Sequence, residues 1–327
     1  MFVSLVKISL LLVVSVLYTS VFTVDASIKA SSARQQQIHD HSTKDWNMKG
    51  RQQNMERLLA PEEIEECLHV VSSSGVYRIT AANNNPTVCA LYFMSEPNQK
   101  IDLYFLNFNV PCEQENLVGV VDGWELNGEF FPSEVDHELL LQERSTEFCD
   151  VIPKKEFLSS QNAALIQYRI VTPGYGFTVY ARFVNNPTPC NILQTSLTEE
   201  LTLRNYGRRS NCSLTAVYPA SVHIIAHDVG ITSALRPVRT KETGTLHECA
   251  KDNSLRDVVQ IGGSAGLDTT NLEVIDSFCG ISSKPNLVNK LVNAEVTTVR
   301  LISSGLFENS VTVSLVQILQ GDPNMSV

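Results

Sequence analysis

Short apolar runs bounded by turn residues recur along the chain from residue 88 to residue 318. In the first half they lie at 88–93, 101–108, 164–171 and 177–183. In the second half they lie at 213–217, 222–226, 258–261, 296–302 and 311–318. They are rich in β-branched and aromatic residues, and many short strands at regular spacing are typical of antiparallel sandwiches. The pattern therefore predicts an all-β protein. A short helix is predicted only before the first cysteine, where Pro61 and the glutamates at 62, 63, 65 and 66 suit a first turn.

The stretch from 112 to 149 shows the pattern most clearly. An apolar run at 117–121 leads into Asp122-Gly123, where glycine supplies the positive φ of a tight turn. Asn127-Gly128 is a hairpin signal, and the aromatic residues Trp124, Phe130 and Phe131 around it supply an apolar sheet face. A strand, a turn and a hairpin between two cysteines indicate the core of a binding module. We expect Trp124 to be buried rather than to contact a ligand.

The chain repeats itself. Cys67 and Cys89 are 22 positions apart, as are Cys190 and Cys212. Further identities recur 131 positions apart: Asn162-Ala163, Arg169 and Gly174 correspond to Asn293-Ala294, Arg300 and Gly305. These coincidences indicate a tandem duplication with a boundary near Asn186-Pro187.

The cysteine count is even, at eight, so no thiol is left over. Eight cysteines allow about a hundred pairings, and the sequence alone does not fix the connectivity. If each half closes its own two bridges, the simplest set joins Cys67 to Cys89, Cys112 to Cys149, Cys190 to Cys212 and Cys249 to Cys279. Each such loop stabilises its half by about 3–4 kcal/mol. There is no CxxC pair, which argues against a structural zinc site.

The first 26 residues are predicted to be a secretory signal. Lys7 marks its basic region, residues 8–17 its apolar core, and Val24 and Ala26 the cleavage positions. The apolar run is too short and too interrupted for a membrane anchor. We then expect a flexible polar leader at 27–60, two domains at 61–185 and 186–320, and a C-terminal tail at 321–327. The mature protein is expected to be secreted and extracellular.

Composition narrows the class of partner. The 327 residues suffice for about two domains, and 43% apolar with 18% charged residues is a globular composition. A formal net charge of -10 argues against a nucleic-acid surface, which needs a basic patch. It is compatible with a basic or amphipathic peptide.

Candidate catalytic and metal sites are weak. Residues 262–266 match G-x-S-x-G, but no histidine follows Ser264 and the surroundings predict strands, so we expect a loop there. His223 and His227 would share a face of an extended strand, yet two imidazoles without a third ligand are a poor metal site. His39 and His41 lie in the polar leader and are expected to be solvated. The protein is predicted not to be an enzyme and to carry no cofactor or metal.

The halves resemble CUB domains, which are extracellular β-sandwich modules. The resemblance rests on the strand and Asp-Gly turn, the closing Phe-Cys pair and the sequence at 159–183. The combination resembles the corticotropin-releasing-factor-binding protein family through residues 122–137, 159–169, 173–178 and 211–219. It implies two tandem antiparallel β-sandwich (CUB-like jelly-roll) domains stapled by disulfides, with the sequential pairing given above.

The resemblance also implies a function. Such a protein would capture a corticotropin-releasing-factor-like peptide hormone and limit its receptor signalling; in an insect-like setting the ligand would be of the diuretic-hormone type. Free peptides of this kind are largely disordered and bind as amphipathic helices. The alternative is an extracellular CUB-module scaffold for adhesion or for assisting a protease.

The family places peptide contacts around the first cysteine, with a basic residue before it and an acidic one after. Here those positions hold Glu63 and His69, so peptide choice is expected to differ.

The resemblance bears on two further site types. Some CUB domains bind calcium through carboxylates that include the Asp of the Asp-Gly turn. Asp122 is present here, but Asn116 replaces a second carboxylate; the other half keeps Asp257 beside a Gly262-Gly263 turn, so we expect no calcium. Asn211 begins an N-glycosylation sequon that matches the family motif, and Asn324 begins a second sequon.

Overall fold

The computed structural model describes residues 60–82, 87–194, 200–233, 236–249, 256–285 and 289–318. The predicted signal, most of the leader, the tail, His39, His41 and the sequon at Asn324 lie outside the described residues. The one described α-helix, α1, is the four-residue Leu141–Arg144. Within the described residues, no helix has the length and apolar character needed to cross a membrane.

Strands of the first half form the N-terminal module. They are β1 Glu62–Ile64, β2 Leu68–Val71, β3 Gly75–Thr80, β4 Cys89–Met94, β5 Gln99–Asn109, β6 Leu117–Asp122, β7 Trp124–Leu126, β8 Glu129–Phe131, β9 Ser145–Phe148, β10 Phe157–Leu158, β11 Ala163–Arg169 and β12 Gly176–Asn185. A 3-10 turn, Glu113–Glu115, precedes β6.

Strands of the second half form the C-terminal module. They are β13 Asn191–Leu193, β14 Glu200–Arg204, β15 Arg209–Ala216, β16 Ala220–Val229, β17 Ile231–Ser233, β18 Arg236–Thr240, β19 Val258–Ser264, β20 Glu273–Phe278, β21 Gly280–Ser282, β22 Lys290–Val292, β23 Val296–Ser304 and β24 Ser310–Gln317. A 3-10 turn, Thr269–Asn271, lies before β20.

Each module is built on two large sheets, and the pairs β7-β8 and β17-β18 form small two-stranded sheets. In the N-terminal module the strand orders are β1-β3-β12-β5-β10 and β2-β4-β11-β6-β9. In the C-terminal module they are β13-β15-β23-β19-β20 and β14-β24-β16-β21, with β22 paired to β16. The sheet β2-β4-β11-β6-β9 has the same connectivity as β13-β15-β23-β19-β20, and every predicted apolar run overlaps a strand. The predicted all-β fold of two sandwiches is confirmed.

Among the described strands, three pairs are parallel, which the antiparallel prediction did not include. They are β1 with β3, β2 with β4 and β13 with β15. Between β2 and β4 the chain passes through β3 in the facing sheet, and between β13 and β15 it passes through β14. A connection that leaves a sheet and returns allows the two strands to run in the same direction.

Each sandwich buries its own core. Phe93, Leu103 and Ile166 lie in the core of the N-terminal module, and Leu203, Val299 and Phe278 in that of the C-terminal module. The disulfides join Cys67 to Cys89, Cys112 to Cys149, Cys190 to Cys212 and Cys249 to Cys279, with Cα–Cα distances of 4.5, 5.0, 4.6 and 5.6 Å. No bridge crosses between the modules, so the contact between them is non-covalent.

An insertion between β6 and β9 carries the hairpin β7–β8. Gly123 has φ +118°, and a Cβ there would lie 2.0 Å from the Phe131 carbonyl oxygen, so only glycine fits. Asn127 and Gly128 both have positive φ, at 54° and 84°, as a two-residue hairpin turn of type I′ requires. These two turns fold the insertion back against the sheet.

The predicted helix before Cys67 is wrong, since Glu62–Ile64 forms β1. In β1, Ile64 is buried and lies opposite Ile79, while Glu62 and Glu63 remain exposed. A segment this short gains little from helix propensity, so pairing with the edge of β3 and burial of one isoleucine decide its conformation.

Candidate peptide-binding surfaces

The two residues proposed for peptide contact lie on neighbouring edge strands of different sheets. Glu63 is on β1, half exposed, and accepts a hydrogen bond from Arg78 at 2.9 Å. His69 is on β2, and its Nδ1 lies 3.1 Å from Glu66 Oε2. Among the described strands, β1 pairs only with β3, and β2 only with β4. We call residues 62–71 the first-cysteine edge.

An apolar layer runs along the outer face of the sheet that contains β2. Under the β7–β8 hairpin, Ala90, Val121 and Leu165 are buried, with Tyr92 and Phe130 packed against them. In the register of β2 and β4, Leu68 lies beside Ala90 and Val70 beside Tyr92. Neighbours in register point to the same face, so Leu68 and Val70 continue this layer to the sheet edge.

That end of the layer is uncovered. Leu68 is 65% exposed and Val70 is 53% exposed, whereas the residues under the hairpin are nearly inaccessible. Val88, next to the Cys67–Cys89 bridge, is also exposed. Exposed apolar residues that adjoin one another and continue a buried apolar layer mark a surface suited to binding another molecule.

Acidic residues precede the uncovered apolar pair in the chain. Glu62, Glu63, Glu65 and Glu66 are all exposed. Two of them have a partner, since Glu63 contacts Arg78 and Glu66 contacts His69. The other two have no ion-pair partner among the described residues. The first-cysteine edge therefore combines two exposed apolar side chains with an excess of negative charge, which favours a partner that carries basic side chains.

A second surface lies between the modules, where the hairpin contacts the C-terminal module. Trp124 is 6% exposed, donates from Nε1 to the Phe93 carbonyl oxygen at 2.8 Å, and packs edge-on against Tyr92. In the same cluster Trp124 and Phe131 are packed with Leu193 and Leu267 of the C-terminal module. The prediction that Trp124 is a core residue is confirmed, but the core it fills is the one that joins the modules.

A buried ion pair lies beside this cluster. Arg300 donates to both carboxylate oxygens of Asp136, with Nε 2.9 Å from Oδ1 and 3.2 Å from Oδ2. The Asp136 side chain is fully buried, and Thr269 donates to its Oδ2 at 2.6 Å. Asn191 donates to the Asp136 carbonyl oxygen at 2.9 Å. Every partner of Asp136 named here belongs to the C-terminal module, so this aspartate is one of the contacts that join the two modules.

An open cleft of about 670 Å³ borders the ion pair and is lined by both modules. Val135 and Leu139 lie on the N-terminal side, where both are exposed. Arg204, Arg208 and Arg209 lie on the C-terminal side and are exposed. The cleft thus combines a polar lining rich in arginine with two exposed apolar side chains, Val135 and Leu139.

The G-x-S-x-G match is not a nucleophile elbow. Ser264 is the last residue of β19, where a loop was expected, and its Oγ donates to the Gly266 carbonyl oxygen at 2.6 Å. Gly262 and Gly263 lie inside β19 rather than in a turn. A Cβ on Gly262 would lie 2.3 Å from the Glu273 carbonyl oxygen, and one on Gly263 would lie 2.5 Å from the Ala294 Cβ. These glycines permit close packing of neighbouring strands.

His223 and His227 lie on opposite faces of β16, contrary to the prediction. A bulge between Ile224 and Ala226 shifts the alternation by one residue, so His223 is exposed and His227 is buried. The Gly280 carbonyl oxygen accepts from His227 Nδ1 at 2.9 Å, and the Thr245 hydroxyl lies 2.8 Å from Nε2. Burial lowers the pKa of His227 below its ordinary 6.5, and the hydrogen bond to Gly280 partly offsets this.

The stability of the C-terminal module should therefore depend on pH. With a lower pKa in the folded state, the unfolded chain binds more protons between the two pKa values, so acidification below about pH 6.5 should reduce the free energy of unfolding. Urea denaturation at several pH values should show that the free energy of unfolding depends less steeply on pH for His227→Gln than for the wild type. His223→Gln, on the exposed face of the same strand, is the control. An unchanged slope in His227→Gln would contradict the assignment.

The calcium candidates do not come together. Asn116 lies just before β6 and Asp122 is its last residue, so they are at opposite ends of a strand that is about 20 Å long. Asp122 already accepts from the Ser160 amide at 2.7 Å and the Ser160 hydroxyl at 3.0 Å. Asp257 likewise accepts from Ser304 and Asn309. Among the described residues no group of three or more His, Cys, Asp or Glu side chains is placed to hold a metal ion.

Asn211, the predicted glycosylation site, lies on β15 at the inter-module cleft. It is half-buried, and its side-chain amide donates to the Val135 carbonyl oxygen at 2.9 Å. Glycosylation at Asn211 stays a prediction.

Comparison with known families identifies both halves of the chain. The family model of the corticotropin-releasing factor binding protein N-terminal domain matches residues 62–185, and that of the C-terminal domain matches residues 192–322. The chain belongs to the corticotropin-releasing factor-binding protein family. The resemblance seen in the sequence is thereby confirmed.

Relatives in this family match over most of their length. The corticotropin-releasing factor-binding protein of Homo sapiens is 31% identical over 271 residues, which cover 81% of this chain and 80% of that protein. That of Xenopus laevis is 30% identical over 254 residues, covering 77% of this chain and 76% of that protein. Among solved structures, the CUB1-EGF-CUB2 domains of rat MASP-1 are 14% identical and cover 79% of this chain and 100% of that chain, with a TM-score of 0.24.

Several surface residues were missed by sequence reasoning. The arginines at 204, 208 and 209 are clustered in a chain of net charge -10, and this reversal of local charge could have indicated the inter-module cleft. Leu68 and Val70 carry no comparable signal, because their exposure depends on β2 being an edge strand. Asp136 and Arg300 are 164 positions apart, and no local pattern links them.

Proposed function

We propose that this protein is a secreted binding protein that captures a corticotropin-releasing-factor-like peptide and limits its access to a receptor. The observation that carries the proposal is the uncovered apolar layer at the first-cysteine edge, where Leu68 and Val70 are 65% and 53% exposed. An amphipathic peptide would complete this layer with its own apolar stripe. Since the receptor would need the same stripe, capture would compete with signalling.

Charge supports the same assignment. Glu63 and its acidic neighbours precede the apolar pair within the first-cysteine edge, so basic side chains on the peptide would be favoured. His69 lies between Leu68 and Val70 along β2, on the other side of the strand. We propose that Glu63 and His69 determine which peptide binds, because family members are expected to carry opposite charges at these two positions.

Secretion and binding without catalysis belong to the same proposal. Four disulfides without a free cysteine among the described residues suit the oxidising environment outside the cell. The domain limits of 61–185 and 186–320, and removal of residues 1–26, are proposed on the sequence argument. The peptide would be released unchanged, as in the family's binding role.

Calorimetric titration with a panel of corticotropin-releasing-factor-like peptides tests the proposal. Leu68→Asp and Val70→Asp should each weaken the best peptide at least tenfold, since a buried Leu or Val side chain contributes about 1.5–3 kcal/mol. Val274→Asp, at a comparably exposed apolar strand position in the C-terminal module, should bind as the wild type does. Glu63→Lys and a charge-reversing His69→Asp should change the ranking of the panel.

Three outcomes would contradict parts of the proposal. Failure of every peptide, together with binding of a large extracellular protein, would favour the scaffold function. Equal affinity in Leu68→Asp and Val274→Asp would remove the first-cysteine edge from the site. Shortened peptide recovered after incubation would show that the protein is an enzyme.

A further inference from the structure

A turn of fixed conformation holds three arginines at the inter-module cleft. We call residues 204–209, from the last residue of β14 to the first residue of β15, the arginine turn. Asn205 is 1% exposed; its Nδ2 donates to the Arg208 and Phe307 carbonyl oxygens at 3.0 and 2.9 Å, and its Oδ1 accepts from the Asn309 amide at 2.8 Å. This buried amide fixes the turn, so the arginine backbones are positioned before any ligand arrives.

In the part of the chain that the structure describes, the arginines of the turn have no oppositely charged partner. Among the described residues, Arg204, Arg208 and Arg209 make no ion pair with a carboxylate. Arg256 lines the same cleft and likewise makes no ion pair among the described residues. The adjacent Asp257 is buried and accepts a hydrogen bond from Ser304 instead. Arg300 differs because its charge is neutralised by Asp136.

The carboxylates that line the cleft do not neutralise it. Asp136 is fully buried in its pair with Arg300, and Asp122 accepts from Ser160 and contacts His137. Among the described lining residues, Glu138 is the one exposed carboxylate, whereas the opposite side holds four arginines that have no ion-pair partner in the described part of the chain. In a chain of net charge -10 this is a local reversal of sign. A basic concavity attracts and holds anionic groups.

The volume of the cleft and its two exposed apolar side chains restrict the class of ligand that fits. Val135 and Leu139 are 47% and 44% exposed on the N-terminal side of the cleft. A sulfated polysaccharide would use the arginines but leave these two side chains uncovered. A peptide that carries both carboxylates and apolar side chains would contact the arginines and these two side chains. The volume of about 670 Å³ suits a short peptide segment.

We propose that the inter-module cleft binds a carboxylate-bearing segment of the captured peptide, with the arginine turn as its anion site and Val135 and Leu139 as its apolar contact. The inference rests on the proposed function for the identity of the peptide. It adds a second contact, which prefers negative charge on the peptide, whereas the acidic first-cysteine edge prefers positive charge. Peptide selection would then require both surfaces.

The test compares the double reversal Arg208→Glu/Arg209→Glu with the matched double reversal Lys154→Glu/Lys284→Glu, which alters the net charge equally at exposed positions outside the cleft. Protein made in a bacterial periplasm forms disulfides and leaves Asn211 without a glycan. Calorimetry with the best peptide of the panel should show an affinity at least tenfold lower for the arginine reversal. The affinity of the lysine reversal should change less than twofold. If the arginine reversal melts at a lower temperature than the wild type, Arg204→Glu is used instead.

A second arm identifies the anionic group on the ligand. The same peptide with Asn and Gln in place of Asp and Glu should bind the wild type more weakly. It should bind the wild type and the arginine reversal with equal affinity. If the acidic peptide binds the wild type and the arginine reversal equally, the cleft inference fails while the proposed function stands.

A third arm separates the inference from the function. A fluorescent Glu-Leu-Glu-Glu-Leu-Glu peptide should bind the wild type, and its affinity for the arginine reversal should be at least tenfold lower. This result is expected even if no hormone-like peptide binds. That outcome would uphold the cleft and reject the hormone. A heparin hexasaccharide that depends on the same arginines and binds tighter than this probe would overturn the inference in favour of a polysaccharide site.

Discussion

Replacing Asp136 by Ala should lower the free energy of unfolding by about 3–5 kcal/mol, because it leaves the guanidinium of Arg300 buried without its counter-charge. Arg300 is 12% exposed and donates to both Asp136 oxygens. Thr269 would lose its acceptor as well. Urea denaturation followed by circular dichroism measures the loss, with the m-value checked against the wild type.

Two controls make this result specific. Glu115→Ala removes the exposed partner of Arg169, the duplicated counterpart of Arg300, and should cost less than about 1 kcal/mol. The double variant Asp136→Leu/Arg300→Met removes both charges and should recover most of the loss. If Asp136→Ala and Glu115→Ala cost the same, the inter-module ion pair does not help to join the modules.

Replacing Trp124 by Ala should cost about 3–5 kcal/mol, since it removes a large buried ring from the cluster that joins the modules. The indole packs with Leu193 and Leu267 of the C-terminal module and donates to the Phe93 carbonyl oxygen. Thermal and urea denaturation measure the loss. Limited proteolysis near 186–190 should speed up as well, because separation of the modules exposes the connection between them.

Trp124→Phe should cost less, about 1–3 kcal/mol, because it keeps an aromatic ring but loses the hydrogen bond. Leu140→Ala, in the same insertion and 62% exposed, is the control and should be near neutral. A Trp124→Ala variant with wild-type proteolysis near 186–190 would mean that this cluster does not hold the modules together.

The interface and the surfaces are linked through the same insertion. Phe130 of the hairpin covers part of the apolar layer that ends at Leu68 and Val70, while Val135 and Leu139 follow the hairpin into the cleft. The large apolar residues of the insertion between Cys112 and Cys149 thus serve both the interface and the apolar layer.

Local chemistry made much of the fold predictable. β-branched runs gave the strands, Asp122-Gly123 and Asn127-Gly128 gave their turns, and equal cysteine spacings gave the duplication, since each depends on residues close in the chain. Glu63 and His69 were singled out by resemblance to the family, and the structure places them on adjacent edge strands.

The sequence by itself determined an all-β, duplicated, acidic chain with an even set of cysteines, because periodicity, turn chemistry and composition are local or additive properties. Only the tertiary structure decided which residues meet. It made Glu62–Ile64 a strand by offering it the edge of β3, and separated His223 from His227 by a bulge that reverses the alternation. It buried Arg300 against Asp136 but left its counterpart Arg169 near the surface, because only the former faces the other module.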